Sequence, residues 1–166
     1  MPLFAANALK SNKEIAQIFD QMASLMELRH DDAFKVRSYR QAAELIGDLQ
    51  TPLAEMAAAG GAAELRKLPG IGDTLSKRII DIIETGTTEY FEELRGQIPL
   101  SVLELLSIDG IGMKTVELLF NQFQIKSLDD FAKFVAGGGL KSVPRLGPKS
   151  EARMKEMLEA RGYKMK

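Results

Sequence analysis

The sequence comprises 166 residues, 45% hydrophobic and 27% charged, with a formal net charge of −1. A chain of this length can bury a hydrophobic core in one domain or in two small ones. The absence of cysteine excludes disulfides and thiolate metal sites, and the single histidine, His30, excludes a histidine-based metal cluster. Neither a membrane-spanning apolar run nor a signal-peptide pattern occurs, so we expect a cytoplasmic protein without a membrane partner.

The N-terminal part of the sequence predicts two amphipathic helices. Ser11 is followed three residues later by Glu14, which is a capping-box pattern, and apolar residues then recur at helical spacing. A second helix is predicted to begin near Asp32, with Phe34 among the apolar residues on its inner side.

The remaining sequence predicts further short helices. The dipeptide Thr51-Pro52 predicts the N-cap and first position of a helix that ends at Gly60-Gly61. Six more helices are predicted at residues 73–85, 88–95, 99–106, 113–123, 128–136 and 148–161. Because no segment shows the sustained alternation of a strand, the predicted fold class is all-α.

The middle of the chain contains an internal repeat. Residues 68–72 (Leu-Pro-Gly-Ile-Gly) recur forty positions later as residues 108–112 (Ile-Asp-Gly-Ile-Gly). A degenerate third copy occupies residues 143–147 (Val-Pro-Arg-Leu-Gly). A repeat of this period indicates a duplicated supersecondary unit.

Two glycines that flank one apolar residue predict a tight turn between two helices. The first glycine adopts backbone angles that a side chain disfavours, and the central isoleucine points inward. The second glycine begins the next helix, whose unpaired N–H groups can bind a phosphate without reading a base. The alternative interpretation is an ordinary tight turn, but two near-identical copies and a degenerate third favour phosphate binding.

These turns resemble the helix-hairpin-helix motif of DNA-repair proteins. In order, residues 12–16, 34–43, 68–72 and 84–86 resemble the N-terminal lyase domain of family X DNA polymerases. Residues from about 98 onward resemble the DNA-binding subdomain that follows it. The resemblance implies a lyase-like helical domain at 12–97 with a hairpin at 68–72, and a second helical domain at 98–166 with hairpins at 108–112 and 143–147.

The motifs and the resemblance together predict a set of DNA-binding residues. These are Lys35, Tyr39, Arg40, Gly70, Gly72, Gly110, Gly112, Lys114, Thr115, Arg145, Gly147 and Lys149. Lys35 stands where the family holds a 5′-phosphate. The resemblance also implies a monovalent cation, K⁺ or Na⁺, on the backbone carbonyls of Arg66, Leu68, Ile71, Leu106, Ile108 and Ile111; no other cofactor is expected.

The resemblance also raises the question of lyase chemistry, which requires a neutral lysine amine. The family's nucleophilic lysine falls on Arg78, and a guanidinium stays protonated in proteins. Lys77 is a candidate replacement, but adjacent helical residues point about 100° apart. The adjacent pairs Asp31-Asp32 and Asp129-Asp130 are typical of helix N-termini, and no strand is predicted to carry metal-binding carboxylates. We therefore expect no polymerase activity from this chain by itself.

Charge distribution supports a DNA partner, since eight Lys or Arg residues and three acidic residues lie from Leu140 onward. The first hypothesis is a sequence-nonspecific DNA-binding protein of repair type, acting on gapped, nicked or single-stranded DNA, with a separate repair enzyme as a further partner. The second is a 5′-deoxyribose-phosphate lyase that uses a non-standard lysine. The third is a protein-interaction scaffold whose hairpins only pack helices.

Overall fold

The computed structural model describes residues 10–165, which are helical without any β-strand, so the predicted all-α fold is confirmed. These residues form α1 (Asn12–Leu28), α2 (Ala33–Asp48), α3 (Leu53–Leu65), α4 (Asp73–Thr85), α5 (Glu89–Gln97), α6 (Met113–Phe123), α7 (Leu128–Ala136) and α8 (Pro148–Ala160), with 3₁₀-helices at Leu100–Ser107 and Gly139–Ser142. Within this part of the chain, no helix has the length and apolar character that crossing a membrane requires.

The chain divides into two compact units between Ile98 and Pro99. Unit 1 contains α1 to α5, and unit 2 contains the two 3₁₀-helices and α6 to α8. Each unit has its own buried core.

The core of unit 1 is built on the contact between α1 and α2. The apolar stripe of α1 is fully buried and comprises Ile15, Phe19, Met22, Leu25 and Met26. Tyr39 of α2 packs its ring against Phe19, with 5.7 Å between the ring centroids. Since each fully buried apolar side chain contributes about 1.5–3 kcal/mol, this helix pair provides a rigid base for the residues on its outer side.

The capping box predicted at Ser11 is confirmed, and α2 begins next to Asp32 as predicted, with a side-chain cap of its own. The Ser11 hydroxyl accepts a hydrogen bond from the backbone N–H of Glu14, and the Glu14 carboxylate accepts one from the N–H of Ser11. The backbone hydrogen bond from Ser11 lowers the pKa of Glu14. At α2, the carboxylate of Asp32 accepts from the N–H of Phe34.

The predicted boundaries of the third helix need correction. Pro52 is the N-cap, and the cap comes from α1: Asn12 Oδ1 accepts from the N–H of Leu53 at 2.8 Å. The helix was expected to end at Gly60-Gly61. Gly61 does leave the helical conformation (φ 63°, ψ −150°), but helical residues resume after this kink and continue to Leu65.

The prediction that Phe34 faces the core was wrong. Its residue surface is 74% exposed, and the guanidinium of Arg37 lies over its ring at 5.2 Å from the centroid. Phe34 precedes the buried Val36 by two residues, which places it about 200° around the helix from the core-facing side.

In unit 2, the segment predicted as helix 99–106 is a 3₁₀-helix over Leu100–Ser107 rather than an α-helix. Val102 and Leu105 are both fully buried, and a helix with three residues per turn places residues three apart on one face. After α8, the guanidinium of Arg161 donates to the hydroxyl and carbonyl oxygens of Ser107, at 2.8 and 3.1 Å. These bonds hold the end of α8 against the segment that leads into residues 108–112.

Candidate nucleic-acid interface

Hairpin 1 (residues 68–72) joins α3 to α4 through a left-handed residue. Gly70 has a φ of 81°, a conformation that glycine adopts without steric cost. Ile71 is 4% exposed, and its N–H donates to the carbonyl of Leu68 at 3.1 Å. Gly72 then begins α4 as its N-cap, so the predicted turn is confirmed.

Hairpin 2 (residues 108–112) repeats this geometry before α6. Gly110 has a φ of 91°, Ile111 is 5% exposed, and its N–H donates to the carbonyl of Ile108 at 3.0 Å. Gly112 is the N-cap of α6.

Hairpin 3 (residues 143–147) keeps the turn although its sequence is degenerate. Arg145 takes the place of the left-handed glycine and has a φ of 71°. The N–H of Leu146 points to the carbonyl of Val143 at 3.4 Å, and Gly147 is the N-cap of α8. The left-handed conformation costs an L-residue about 1–2 kcal/mol, and the exposed Arg145 adopts it nevertheless.

The three helix N-termini that follow the hairpins share one backbone geometry. Gly72, Gly112 and Gly147 have φ angles of −100°, −101° and −102°. No side chain caps α4, α6 or α8, whereas serine or aspartate oxygens cap α1, α2 and α7. The space where a Cβ would project from these glycines is open. The first N–H groups of these helices can therefore bind an anion, and the helix dipole favours it.

Charges around the three N-termini make the sites unequal. The second position is Lys114 in α6 and Lys149 in α8, both exposed, but Thr74 in α4. The first position of α4 is Asp73, whose carboxylate lies 3.4 Å from the guanidinium of Arg66. Because a carboxylate at the first position repels an incoming phosphate, hairpin 1 is the least favourable anion site. Helix α8 has Glu151 in its first turn and Pro148, which has no N–H, at its first position, so hairpin 3 depends more on the charge of Lys149 than hairpin 2 does on that of Lys114.

Unit 1 contains a second group of predicted site residues, which we call the aromatic–cation cluster: Lys35, Tyr39, Arg78 and Tyr90. Arg78 Nε donates to the hydroxyl of Tyr39 at 2.7 Å, and its guanidinium carbon lies 4.3 Å from the ring centroid of Tyr90. Lys35 Nζ lies 5.1 Å from the same centroid. The cluster therefore brings residues of α2, α4 and α5 together around one aromatic ring.

The ion pair of Arg29 and Asp31 contacts the hydroxyl of Tyr90. The guanidinium of Arg29 donates to both carboxylate oxygens of Asp31 and to the Tyr90 hydroxyl, the last at 3.2 Å. Hydrogen bonding from Arg29 holds the pKa of Asp31 below its usual value of 3.8, and Asp31 in turn raises the pKa of Arg29. Burial raises the pKa of the Tyr90 hydroxyl above its usual value of 10.

Other predicted residues lie outside the cluster. Arg40 points to α1, where it pairs with Asp20 and Glu27, both at 2.9 Å. Lys77 is 76% exposed and lies 3.9 Å from Asp81 on its own helix. The structure thus places Arg78, and not Lys77, beside Tyr39.

Sequence reasoning missed Tyr90 and Arg29. Tyr90 lies in the Thr-Glu-Tyr-Phe segment after hairpin 1, but its repeat counterpart forty residues later is Asp130, so the repeat carries no signal for an aromatic residue. Arg29 belongs to no motif and no repeat of the sequence. Their contacts join residues about sixty positions apart, which no local pattern encodes.

Comparison with known proteins agrees with this geometry. A helix-hairpin-helix domain family matches residues 10–88, and a SAM-like helix-hairpin-helix tandem family matches residues 102–160. The chain is 25% identical over 150 residues to the DNA polymerase/3′-5′ exonuclease PolX of Bacillus subtilis (strain 168), covering 90% of this chain and 25% of that protein. It is 29% identical over 120 residues to the DNA nucleotidylexotransferase of Ambystoma mexicanum, covering 72% of this chain and 22% of that protein.

Both units of the chain are thus helix-hairpin-helix domains. The chain is related to the family X DNA polymerases, as its motifs predicted, and it spans about a quarter of the length of the curated relatives it matches. Helix-hairpin-helix domains in this context indicate DNA binding.

Proposed function

We propose that this chain is a sequence-nonspecific DNA-binding module of DNA-repair type that contacts the sugar-phosphate backbone at gaps, nicks or ends. The observation that carries the proposal is the repetition of one geometry: three glycine N-caps with matching φ angles, no side-chain cap and open space in front. Such N-termini bind phosphate oxygens and make no contact with base edges.

Hairpins 2 and 3 supply most of the backbone binding in this proposal. Lys114 and Lys149 add a positive charge at each anion site, and Arg145 adds another at the turn of hairpin 3. Thr115, the residue after Lys114, adds a backbone N–H in the first turn of α6. At hairpin 1, Asp73 weakens the attraction for phosphate, so its contribution is smaller.

The aromatic–cation cluster supplies the preference for a DNA end. Within residues 10–165, neither Lys35 nor Arg78 forms an ion pair with a carboxylate, although Asp31 is near enough to Lys35 to interact with it electrostatically. Both cations can therefore contribute positive charge to the binding of a 5′-phosphate. A charge-assisted phosphate contact contributes roughly 1.5–3 kcal/mol, so DNA with a 5′-phosphate should bind about tenfold better, or more, than DNA with a 5′-hydroxyl.

The same cluster argues against efficient lyase chemistry. Arg78 is the residue that contacts Tyr39, and its guanidinium cannot form an imine near neutral pH. Lys77, the alternative amine, is directed toward Asp81 and solvent.

We also propose that hairpins 1 and 2 each bind a monovalent cation, K⁺ or Na⁺. The carbonyls of Arg66, Leu68 and Ile71 would hold it in hairpin 1, and those of Leu106, Ile108 and Ile111 in hairpin 2. Within the described residues, the carbonyls of Ile71 and Ile111 accept no backbone hydrogen bond, which leaves their oxygens available as ligands. A cation bound there would attract a phosphate to the adjacent helix N-terminus.

A fluorescence anisotropy titration with gapped, nicked and intact duplexes of two unrelated sequences tests the DNA-binding proposal. We expect tighter binding to gapped or nicked DNA, no sequence preference, and a log–log salt slope of about −2 to −4 because few phosphates are contacted. If the protein shows no salt-sensitive binding to any of the DNAs at low salt, the DNA-binding proposal is refuted and the scaffold hypothesis is favoured.

Two variants sharpen this test in unit 2. Gly112→Leu is expected to fold, because its φ of −101° suits any residue and its Cβ meets open space, but to weaken binding by covering the N–H groups. Lys114→Ala is expected to weaken binding to all DNA sequences alike. Lys133→Ala removes the same charge from an exposed position of α7 and serves as the matched control. Equal losses for the two lysine variants would contradict the role of hairpin 2.

A further inference from the structure

The guanidinium of Arg78 is held in a defined orientation and retains unused donors. One face lies against the ring of Tyr90 at 4.3 Å, and the Nε–H is committed to the buried Tyr39 hydroxyl at 2.7 Å. A guanidinium has five N–H donors. Within residues 10–165, the four on the Nη atoms have no protein acceptor, so the edge opposite Tyr39 is free for a ligand.

The free edge of a stacked guanidinium matches a particular chemistry. Two parallel N–H groups fit two oxygens of a phosphate, and stacking prevents the guanidinium from turning away. Lys35 Nζ, 5.1 Å from the same ring, adds a second positive charge. Two cations favour a terminal phosphate monoester, which carries about −1.5 to −2 charges at pH 7, over a bridging phosphodiester with one.

Both cations contact the aromatic ring of Tyr90. Its ring contacts Arg78 and Lys35 and lies 5.9 Å from the ring of Tyr39. Its hydroxyl is fixed by the Arg29–Asp31 pair, with 3.2 Å to Arg29 and 3.4 Å to Asp31. Removal of the ring would leave Arg78 attached to Tyr39 through a single hydrogen bond.

We propose that Tyr90 is a positioning residue that holds Arg78 as a bidentate receptor for the 5′-phosphate of a DNA end. This inference rests on the proposed function of the cluster and extends it in two respects. Arg78, and not Lys35 alone, binds the phosphate oxygens, and an aromatic ring from α5 gives the site its preference for a terminal phosphate.

The experiment compares two DNAs with the same one-nucleotide gap, ending in a 5′-phosphate or a 5′-hydroxyl, and reports the ratio of their affinities. We expect a ratio of about ten for the wild type. Tyr90→Leu should reduce the ratio to about two or less, whereas Tyr90→Phe, which keeps the ring, should retain most of it. Arg78→Gln should abolish the preference.

The ratio separates positioning from a general loss of structure. The ratio compares two DNAs on the same variant, so a general loss of DNA affinity cancels, and all three variants are expected to keep a wild-type helical circular dichroism spectrum. Tyr163→Leu in unit 2 is the matched control and should leave the ratio unchanged. A full tenfold preference in Tyr90→Leu, or its loss in Tyr90→Phe, would overturn the role of the ring.

The same data distinguish this inference from the proposed DNA binding. If the wild type shows no preference for the 5′-phosphate while Gly112→Leu still weakens binding, the receptor at Arg78 is refuted and backbone binding stands. If the wild type shows no salt-dependent binding to either of the two gapped DNAs, the receptor at Arg78 and the proposed backbone binding are both refuted.

Discussion

Replacement of Arg145 by glycine is expected to stabilise the protein and to weaken DNA binding at the same time. Arg145 is the left-handed residue of hairpin 3, with a φ of 71°, and its side chain is exposed. It makes no side-chain hydrogen bond or ion pair with residues 10–165, so its removal disrupts no packing. Only the backbone strain and the positive charge change.

The magnitude of the stabilisation follows from the backbone angle. The left-handed conformation costs an L-residue about 1–2 kcal/mol, which glycine does not incur. Glycine also increases the freedom of the unfolded chain, which offsets about 0.4–1 kcal/mol of that gain. The net stabilisation is about 0–1.6 kcal/mol. Its midpoint of about 0.8 kcal/mol corresponds to an increase in melting temperature of roughly 3–6 °C for a unit of this size.

The magnitude of the DNA effect follows from the charge. Each phosphate contact made by a cation contributes about 0.9 to the steepness of the log–log salt dependence. Arg145→Gly should therefore reduce the slope by about one and weaken binding to all sequences equally.

Arg145→Ala separates the two effects, because alanine removes the charge but keeps the strained backbone conformation. Stability is measured by thermal melting followed by circular dichroism, and hydrogen exchange in α8 assigns the change to unit 2. DNA binding is measured by anisotropy titrations at several salt concentrations. The glycine variant should melt higher than the alanine variant, and both should show the same reduced salt slope. Identical melting temperatures would refute the strain argument, and an unchanged slope in both would refute phosphate binding at hairpin 3.

Three further predictions concern unit 1. Arg78→Lys should form more borohydride-trapped adduct on a pre-incised abasic site than the wild type, because it places an amine beside Tyr39. Lys77→Ala should leave the weak trapping by the wild type unchanged. Strong trapping by the wild type that is lost in Lys77→Ala would show that the chain is a lyase. Asp31→Asn should lower the free energy of unfolding by about 2 kcal/mol at pH 7. Because the pKa of Asp31 is depressed in the folded state, its contribution to stability is present above the usual value of 3.8 and is lost as pH falls through the folded pKa. The free energies of unfolding of Asp31→Asn and wild type, measured by urea titration, should therefore converge at low pH. A difference between the two that stays constant with pH would contradict this. Asn12→Ala should destabilise the protein by about 1–2 kcal/mol, because it removes both hydrogen bonds of Asn12 at the start of α3, from the Leu53 N–H at 2.8 Å and to the Thr51 carbonyl at 2.9 Å. Asn12→Asp keeps the acceptor but loses the donor, so in the same urea titration its stability should lie between those of Asn12→Ala and the wild type.

Local chemistry explains why much of the helical architecture could be predicted. The capping box at Ser11 and the N-cap at Asp32 involve residues two or three positions apart, so the sequence displays both partners together. The glycine turns depend on the φ of single residues, and Gly70 and Gly110 adopt the left-handed angles that the motif predicts.

Predictions failed where a contact joins distant parts of the chain. The start of α3 is capped by Asn12 from forty-one positions away, so the local Thr51-Pro52 pattern was misleading. The ion pairs of Arg40 with Asp20 and Glu27 of α1 join residues 20 and 13 positions apart, so its local sequence does not display them either.

The sequence by itself determined the all-helical class and the repeated hairpins, because both depend on residue types at short, fixed spacing. The alignment of Arg78 with the nucleophile position is what the resemblance to family X polymerases implies. Tertiary structure alone decided which charges remain available. Arg29 and Arg40 are paired with carboxylates, whereas Lys35 and Arg78 converge on Tyr90 from two other helices. The strength of a charge depends on the groups that surround it in space, and packing brings those groups together from positions that the sequence leaves far apart.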